Sequence, residues 1–290
     1  MTDAHFWKDH VLVLMTPDIM VRGLQLQLFK RLLEEGIIPV AAKLSKTDAE
    51  MIDELYRDVI AGNWQTWRYR LIEDAFALAP SLAMICRCVD QDLPHAYVKS
   101  RKGNQHPHLM IDGQIRRDFG AINAVLGIFH ASDNPEESRK DALVFGLTPD
   151  DVFDDEAKCH RRIEQLCKLT TPLVPETRDF DDALQQLRAA ILTLFWDDLD
   201  DDSRNEIDTM LVLNGGLAAT GAGSRLANLV RDTMPNDLFD VLQYDFTPEA
   251  ERSGRLSGIL NCIKRYGIEM DSWQHLVLES SCYFPPARKR

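Results

Sequence analysis

The apolar positions of this chain change rhythm halfway along. VLVLM at 11–15 is a short unbroken apolar run and predicts a buried strand. From Val21 to Glu35, Leu24, Leu28, Leu32 and Leu33 fall on one helical face, and Gly36 closes the helix. IIPVAAKL at 37–44 predicts a second strand, with Pro39 favouring an edge or a bulge. SKTDAEMIDELYRDVIAG opens with a capping signal and continues as a helix, and WQTWRYRLIEDAFA predicts another. SLAMICRCV at 81–89 predicts a further buried strand. DLPHAYVKSRKGNQHPH reads as an irregular basic segment. The apolar run AVLGIF and a helix from Pro135 to about Phe145 complete this half. The order β-α-β-α-α-β-loop-β-α predicts an α+β sandwich with a small antiparallel sheet.

Past Leu147 the pattern becomes helical throughout. The acidic TPDDVFDDEAK and the proline-bearing LTTPLVPETRD place a linker or boundary in 148–179, between a domain over 1–147 and a helical domain over 180–290. Phe180, Leu184, Leu187, Ile191 and Leu194 recur at helical spacing, with Ala183 and Ala190 on the same face. Helices near 203–213, 223–233 and 250–266 are expected.

Composition narrows the classes. Forty-five per cent of the 290 residues are apolar, enough for packed cores. A formal charge of −13 repels nucleic acid, and the terminal ARKR is too short to reverse it. No run of 18 apolar residues occurs, so no transmembrane helix and no membrane partner is expected. The start MTDAHFWKDH lacks the layout of a signal peptide, and six cysteines without paired metal-like spacing fit a reduced cytoplasmic compartment.

The clearest chemistry lies in GIFHASDNPEESRKDALVFG, residues 127–146. A strand ending in His130 and followed by Ser-Asp-Asn-Pro-Glu-Glu leaves the ring at a sheet edge beside a helix N-terminus. Backbone N–H groups there favour anions such as phosphate. A neutral imidazole is a competent nucleophile towards phosphorus: one nitrogen attacks while an acceptor holds the other. Asp141, in the following helix, is placed to reach back as that acceptor. Arg116 of IRRDFG can meet the equatorial oxygens of a transferring phosphoryl group. A half-buried histidine capping a strand, with Asp141 solvated, fits the same local pattern.

Several segments, in order, resemble the nucleoside diphosphate kinases. VLVLMTPDIMVRGL resembles that family's LxLIKPDxVxRGL, with Pro17, Asp18, Arg22 and Gly23 in matching places. IPVAAKL, LYRDVIAGNW, SLAMICRC, IRRDFG and FHASDNPEESRKDALVFG resemble later family segments, over about residues 8–146. The resemblance implies a ferredoxin-like fold and ping-pong transfer from a Mg²⁺-nucleoside triphosphate through a phosphohistidine. It makes His130 the phosphoryl acceptor, with Ser132 beside it, Asp141 in place of a ring-holding glutamate, and Arg116 on phosphate. Tyr56 stands where the family has a tyrosine, and Trp64 where it has a base-stacking aromatic. A helix packing Trp64, Trp67 and Tyr69 into the core fits that pattern equally. The resemblance further implies a homo-oligomer.

Two positions depart from the family. Its KPD lysine, a phosphate contact, is Thr16 here, and the asparagine three residues before the histidine is Gly127. Lys99, Arg101 and Lys102 are candidates to replace lost cations, although a solvated basic loop accounts for them too. The expected function is phosphoryl transfer through His130 to an acceptor other than an ordinary nucleoside diphosphate. The alternative is an inactive nucleotide-binding interaction protein. Elsewhere, WDDLDDDS at 196–203 reads as an acidic turn with Ser203 as an N-cap rather than a Mg²⁺ site. The glycine-rich 214–230, which carries Arg225, reads as a close helix crossing. CHRRIEQLC reads as an amphipathic helix, and His106 and His108 bracket Pro107 without further ligands.

Overall fold

Alternation along each strand decides which core each side chain joins. The computed structural model describes residues 3–57, 66–213 and 215–288. Strands β1 (His10–Met15), β2 (Ile37–Ser45), β3 (Ser81–Cys88) and β4 (Phe129–Ala131) form one antiparallel sheet in the order β2-β3-β1-β4. Val11, Val13 and Met15 of β1 and Leu82, Met84 and Cys86 of β3 enter one core. Leu12 and Leu14, with Ala83 and Ile85, enter the other. Pro39 sits where expected: β2 is an edge strand, and its register shifts between Pro39 and Ala41. The extra residue puts Val40 and Ala41, neighbours in sequence, into the same core.

Helices cover both faces. α3 (Gln25–Glu34) brings Leu28, Phe29 and Leu32 to the first core. The second is closed by α1 (Asp3–Asp9), α4 (Ala49–Leu55), α5 (Thr66–Ala77) and α8 (Pro135–Val144) through Trp7, Ile52, Phe76 and Ala142. The sheet and its covering helices make the expected α+β ferredoxin-like sandwich, and the rest of the chain is helical.

Four local expectations are corrected. The helix expected from Val21 is two, α2 (Pro17–Val21) and α3, separated at Gly23 where φ is +68°. The basic segment is not irregular: it contains α6 (Pro94–Lys102). Its buried positions are Pro94, His95, Val98 and Lys102, a helical spacing in which two inward residues are His and Lys and so read as polar. AVLGIF is not a strand. The buried Asn123 side chain accepts from Val125 N–H and Leu126 N–H and builds a turn, and only 129–131 are extended. The short helix α7 (Ile115–Asp118) precedes it. Finally, most of 148–179 is packed structure rather than linker. Helix α9 (Glu156–Leu169) places Cys159, Ile163 and Cys167 in the first core, and the chain divides later, into units 1–177 and 178–290.

The second unit contains α10 (Phe180–Leu194), α11 (Asp201–Val212), α12 (Ala222–Leu229), α13 (Asn236–Gln243), α14 (Pro248–Glu251), α15 (Leu256–Arg265) and α16 (Ser272–Ser281). The helix expected over 250–266 is thus two. Phe180, Ala183, Leu184, Leu187 and Ile191 are buried on α10, whereas Leu194 is exposed at its end. No helix among the described residues is long and apolar enough to cross a membrane.

Candidate functional site

His130 stands on the outer strand of the sheet. Its partner across β1 is Leu14, so the ring lies on the face covered by α4, α5 and α8. The side chain is 30% exposed. Asp141 comes from α8, whose start is set by Asn134: its side chain accepts from Glu137 N–H, with Pro135 in the first turn. The buried Asp141 Oδ2 lies 3.5 Å from His130 Nε2 and accepts a 2.7 Å bond from Ser132 Oγ. A carboxylate only accepts, so this contact favours the proton on Nε2 and leaves Nδ1 with a lone pair. Tyr56, just after α4, is half-buried. Burial and then the Asp141 carboxylate push its phenol up, while Arg116 acts the other way.

The turn before His130 is held by an aspartate to which the sequence reading gave no role. Asp18 Oδ2 accepts from Ile128 N–H at 2.7 Å, and Thr16 Oγ1 donates to Oδ1 at 2.6 Å. Ile128 has φ +58°, a conformation that costs a β-branched residue about 1–3 kcal/mol and that this bond opposes relaxing. Burial raises the Asp18 carboxyl, and the two donated bonds and Arg22 lower it in part. Thr16, the residue in the lysine position, therefore puts a neutral hydroxyl on a neighbouring acid.

Arg116 approaches from α7. Arg22 donates to Phe119 O and Gly120 O and so fixes the end of that helix. The Arg116 guanidinium donates to Phe129 O at 2.9 and 3.2 Å and to Gly103 O at 3.4 Å. Burial lowers its pKa without discharging it. A side chain at Gly127 would begin 3.7 Å from this guanidinium, so the glycine leaves room beside it.

The structure brings His130, Ser132, Asp141, Tyr56, Arg116 and Thr16 into this one region. It sends two predicted residues elsewhere. Lys99 is largely exposed and pairs with Asp133 at 2.9 Å. Arg101 turns to Glu35, after α3, at 2.6 Å. Trp64 lies outside the described residues, and Trp67 and Tyr69 fall in α5. Lys102, by contrast, is buried and donates to Ala131 O at 2.8 Å. The helical phase of α6 was the signal that could have singled it out.

The other candidates are structural. Asp200, not Ser203, caps α11, accepting from Ser203 N–H at 2.7 Å. Among the described residues no three His, Cys, Asp or Glu side chains converge as metal ligands. A side chain at Gly223 would meet Leu242 O at 2.8 Å, so the glycine-rich stretch serves a close approach. Arg225 pairs with Glu206. A cavity of about 510 Å³ in the second unit is walled by Asp181 and Asp182, which disfavours phosphate. One of about 360 Å³ in the first unit, beside Trp7 and Leu143, does not touch His130.

The sheet order defines a ferredoxin-like domain that carries a half-exposed histidine backed by an acid. A family model described as nucleoside diphosphate kinase matches residues 9–148, and this N-terminal half of the chain belongs to the nucleoside diphosphate kinase family. The nucleoside diphosphate kinase of Thermococcus kodakarensis is 24% identical over 148 residues, 50% of this chain and 80% of the relative. That of Methanocaldococcus jannaschii is 29% identical over 147 residues, 51% of this chain and 99% of the relative. The apo crystal structure of the Encephalitozoon cuniculi nucleoside diphosphate kinase is 20% identical, with a TM-score of 0.44 over 51% of this chain and 95% of that one.

Proposed function

We propose that this protein transfers a phosphoryl group from a Mg²⁺-nucleoside triphosphate through a phosphohistidine on His130. The observation that carries the reading is the half-exposed ring with Nε2 turned to Asp141. The Nδ1 lone pair attacks the terminal phosphorus. The bond from phosphorus to the bridging oxygen breaks, and its electron pair leaves on the nucleoside diphosphate. Asp141 steadies the Nε2–H as the ring becomes cationic, with Ser132 holding the carboxylate. Arg116 meets the charge on the equatorial oxygens. In the second half the acceptor oxygen attacks the same phosphorus and the nitrogen–phosphorus bond breaks. Mg²⁺ enters with the substrate, on its phosphates.

Thr16 and Gly127 support an acceptor other than an ordinary nucleoside diphosphate, because two family contacts to the nucleotide are changed while the nucleophile is kept. By the same resemblance the protein is a homo-oligomer, and its cysteine usage suits the cytoplasm. Incubation with γ-labelled ATP and Mg²⁺ tests the reading. Acid-labile, base-stable label is expected on the protein and is absent from His130→Ala; its discharge by candidate acceptors identifies the second substrate. Nucleotide binding with no label, unchanged by His130→Ala, would instead establish the binding protein favoured by the loss of the KPD lysine.

A further inference from the structure

The sheet beside His130 is finished by a side chain from the helix that carries its acid. Pairing of β1 with β4 ends at Val13 and Ala131. At the next rung Ser132 N–H donates to Leu12 O at 3.1 Å. An antiparallel rung of this kind would return a bond from Leu12 N–H to Ser132 O. Leu12 N–H donates instead to Ser138 Oγ, on α8, at 3.1 Å. A hydroxyl that accepts there still has its own proton to give. His95 Nε2, on α6, lies 3.0 Å away to receive it.

Ser138 and His95 are both buried. Polar groups in such places cost free energy unless bonded, and here each bonds the other. Burial holds the His95 ring below the usual histidine range, while Glu137 of α8 and Asp133 of the loop before it act the other way. A neutral ring with its proton on Nδ1 leaves Nε2 to accept. The bonds then run in one sense, from Leu12 N–H to Ser138 Oγ and from Ser138 O–H to His95 Nε2. Ser138 precedes Asp141 by three residues, so the two share the buried face of α8. Asp141 Oδ2 is 3.5 Å from His130 Nε2, at the long end of hydrogen-bond range, so a small slide of α8 decides whether the two groups meet.

We propose that Ser138 and His95 are positioning residues, which peg α8 to β1 and so hold Asp141 against the His130 imidazole. This rests on His130 as the reacting centre. Ser132 orients the Asp141 carboxylate, and Ser138 sets the place along the sheet of the helix that bears it. His95 keeps the Ser138 hydroxyl turned so that its lone pair meets Leu12 N–H. Both residues act through Asp141. Their loss therefore removes support from the ring as it becomes cationic, and removes no contact to phosphate. The expected signature is a slower transfer with nucleotide binding kept.

The test pairs nitrogen NMR of the neutral His130 ring with single-turnover labelling by γ-labelled Mg²⁺-ATP, both on the full chain. An acceptor at Nε2 favours the Nε2–H form, whereas a free imidazole populates both tautomers. Ser138→Ala and His95→Leu are expected to raise the Nδ1–H share of His130. They should slow maximal labelling roughly 10- to 100-fold, with the half-saturating Mg²⁺-ATP concentration within about threefold of the parent. His95→Gln keeps an acceptor for the Ser138 hydroxyl and should keep the parent ring signature and label within about threefold. An unchanged ring in both Ser138→Ala and His95→Leu overturns the proposal. So does His95→Gln behaving as His95→Leu, or a loss carried wholly by weaker nucleotide binding. Should Ser138→Ala not fold, the two His95 variants decide. A ring change of the expected kind in a protein that never takes label would sustain this inference and end the phosphohistidine reading.

Discussion

Two arginines, one in each unit, differ in how far their charge is compensated. Arg188 on α10 is fully buried and donates to the carbonyls of Leu242, Leu217 and Tyr244 and to the Asp245 carboxylate at 2.8 Å. Burial lowers its pKa and Asp245 raises it. Four hydrogen bonds, one of them to a carboxylate, engage all three nitrogens of the guanidinium. Arg116 is half-buried, donates to carbonyls alone and bonds the residue next to the half-exposed His130. The same side chain meets a carboxylate in the second unit and only carbonyls in the first.

The comparison can be broken at either arginine. Arg188→Met leaves three buried carbonyls without a donor, and a loss of about 3–5 kcal/mol in urea unfolding is expected. A loss under about 1 kcal/mol would mean the guanidinium is no brace. Arg116→Gln is expected to slow labelling of His130 roughly 100-fold. Its stability should fall by only about 1–2 kcal/mol, because Gln keeps an N–H donor and no carboxylate loses a hydrogen-bond partner. Equal losses in the two measurements would make Arg116 a second brace. The smallest effect is expected from Thr16→Lys. It should speed discharge of the label by a nucleoside diphosphate by no more than about tenfold. An unchanged rate would show that the missing lysine does not limit the exchange.

Much of the fold was legible because unbroken apolar strand runs, Gly36, the capping signal before α4, Pro135 at the start of α8, and Pro39 are local chemistry that tertiary packing respected. His130 and Asp141 were legible for a similar reason: a strand end and the helix after it are eleven residues apart and meet through one turn. What escaped was polar residues doing apolar work. His95 and Lys102 occupy the inner face of α6, and Asn123 builds a turn inside an apolar run. Periodicity counts polarity and cannot register a lysine whose ammonium finds a carbonyl in a distant strand.

The amino-acid order alone determined the approximate places of the first three strands, the helical second half and the pairing of His130 with Asp141. Those follow from backbone preference and from contacts between near neighbours. Only the tertiary structure decided where three clustered cations turn, Lys99 to Asp133, Arg101 to Glu35 and Lys102 to Ala131 O, and that Thr16 is turned to Asp18. Charge acts through space, and the distances that rank one cation above another exist only after β4 has taken its place beside β1.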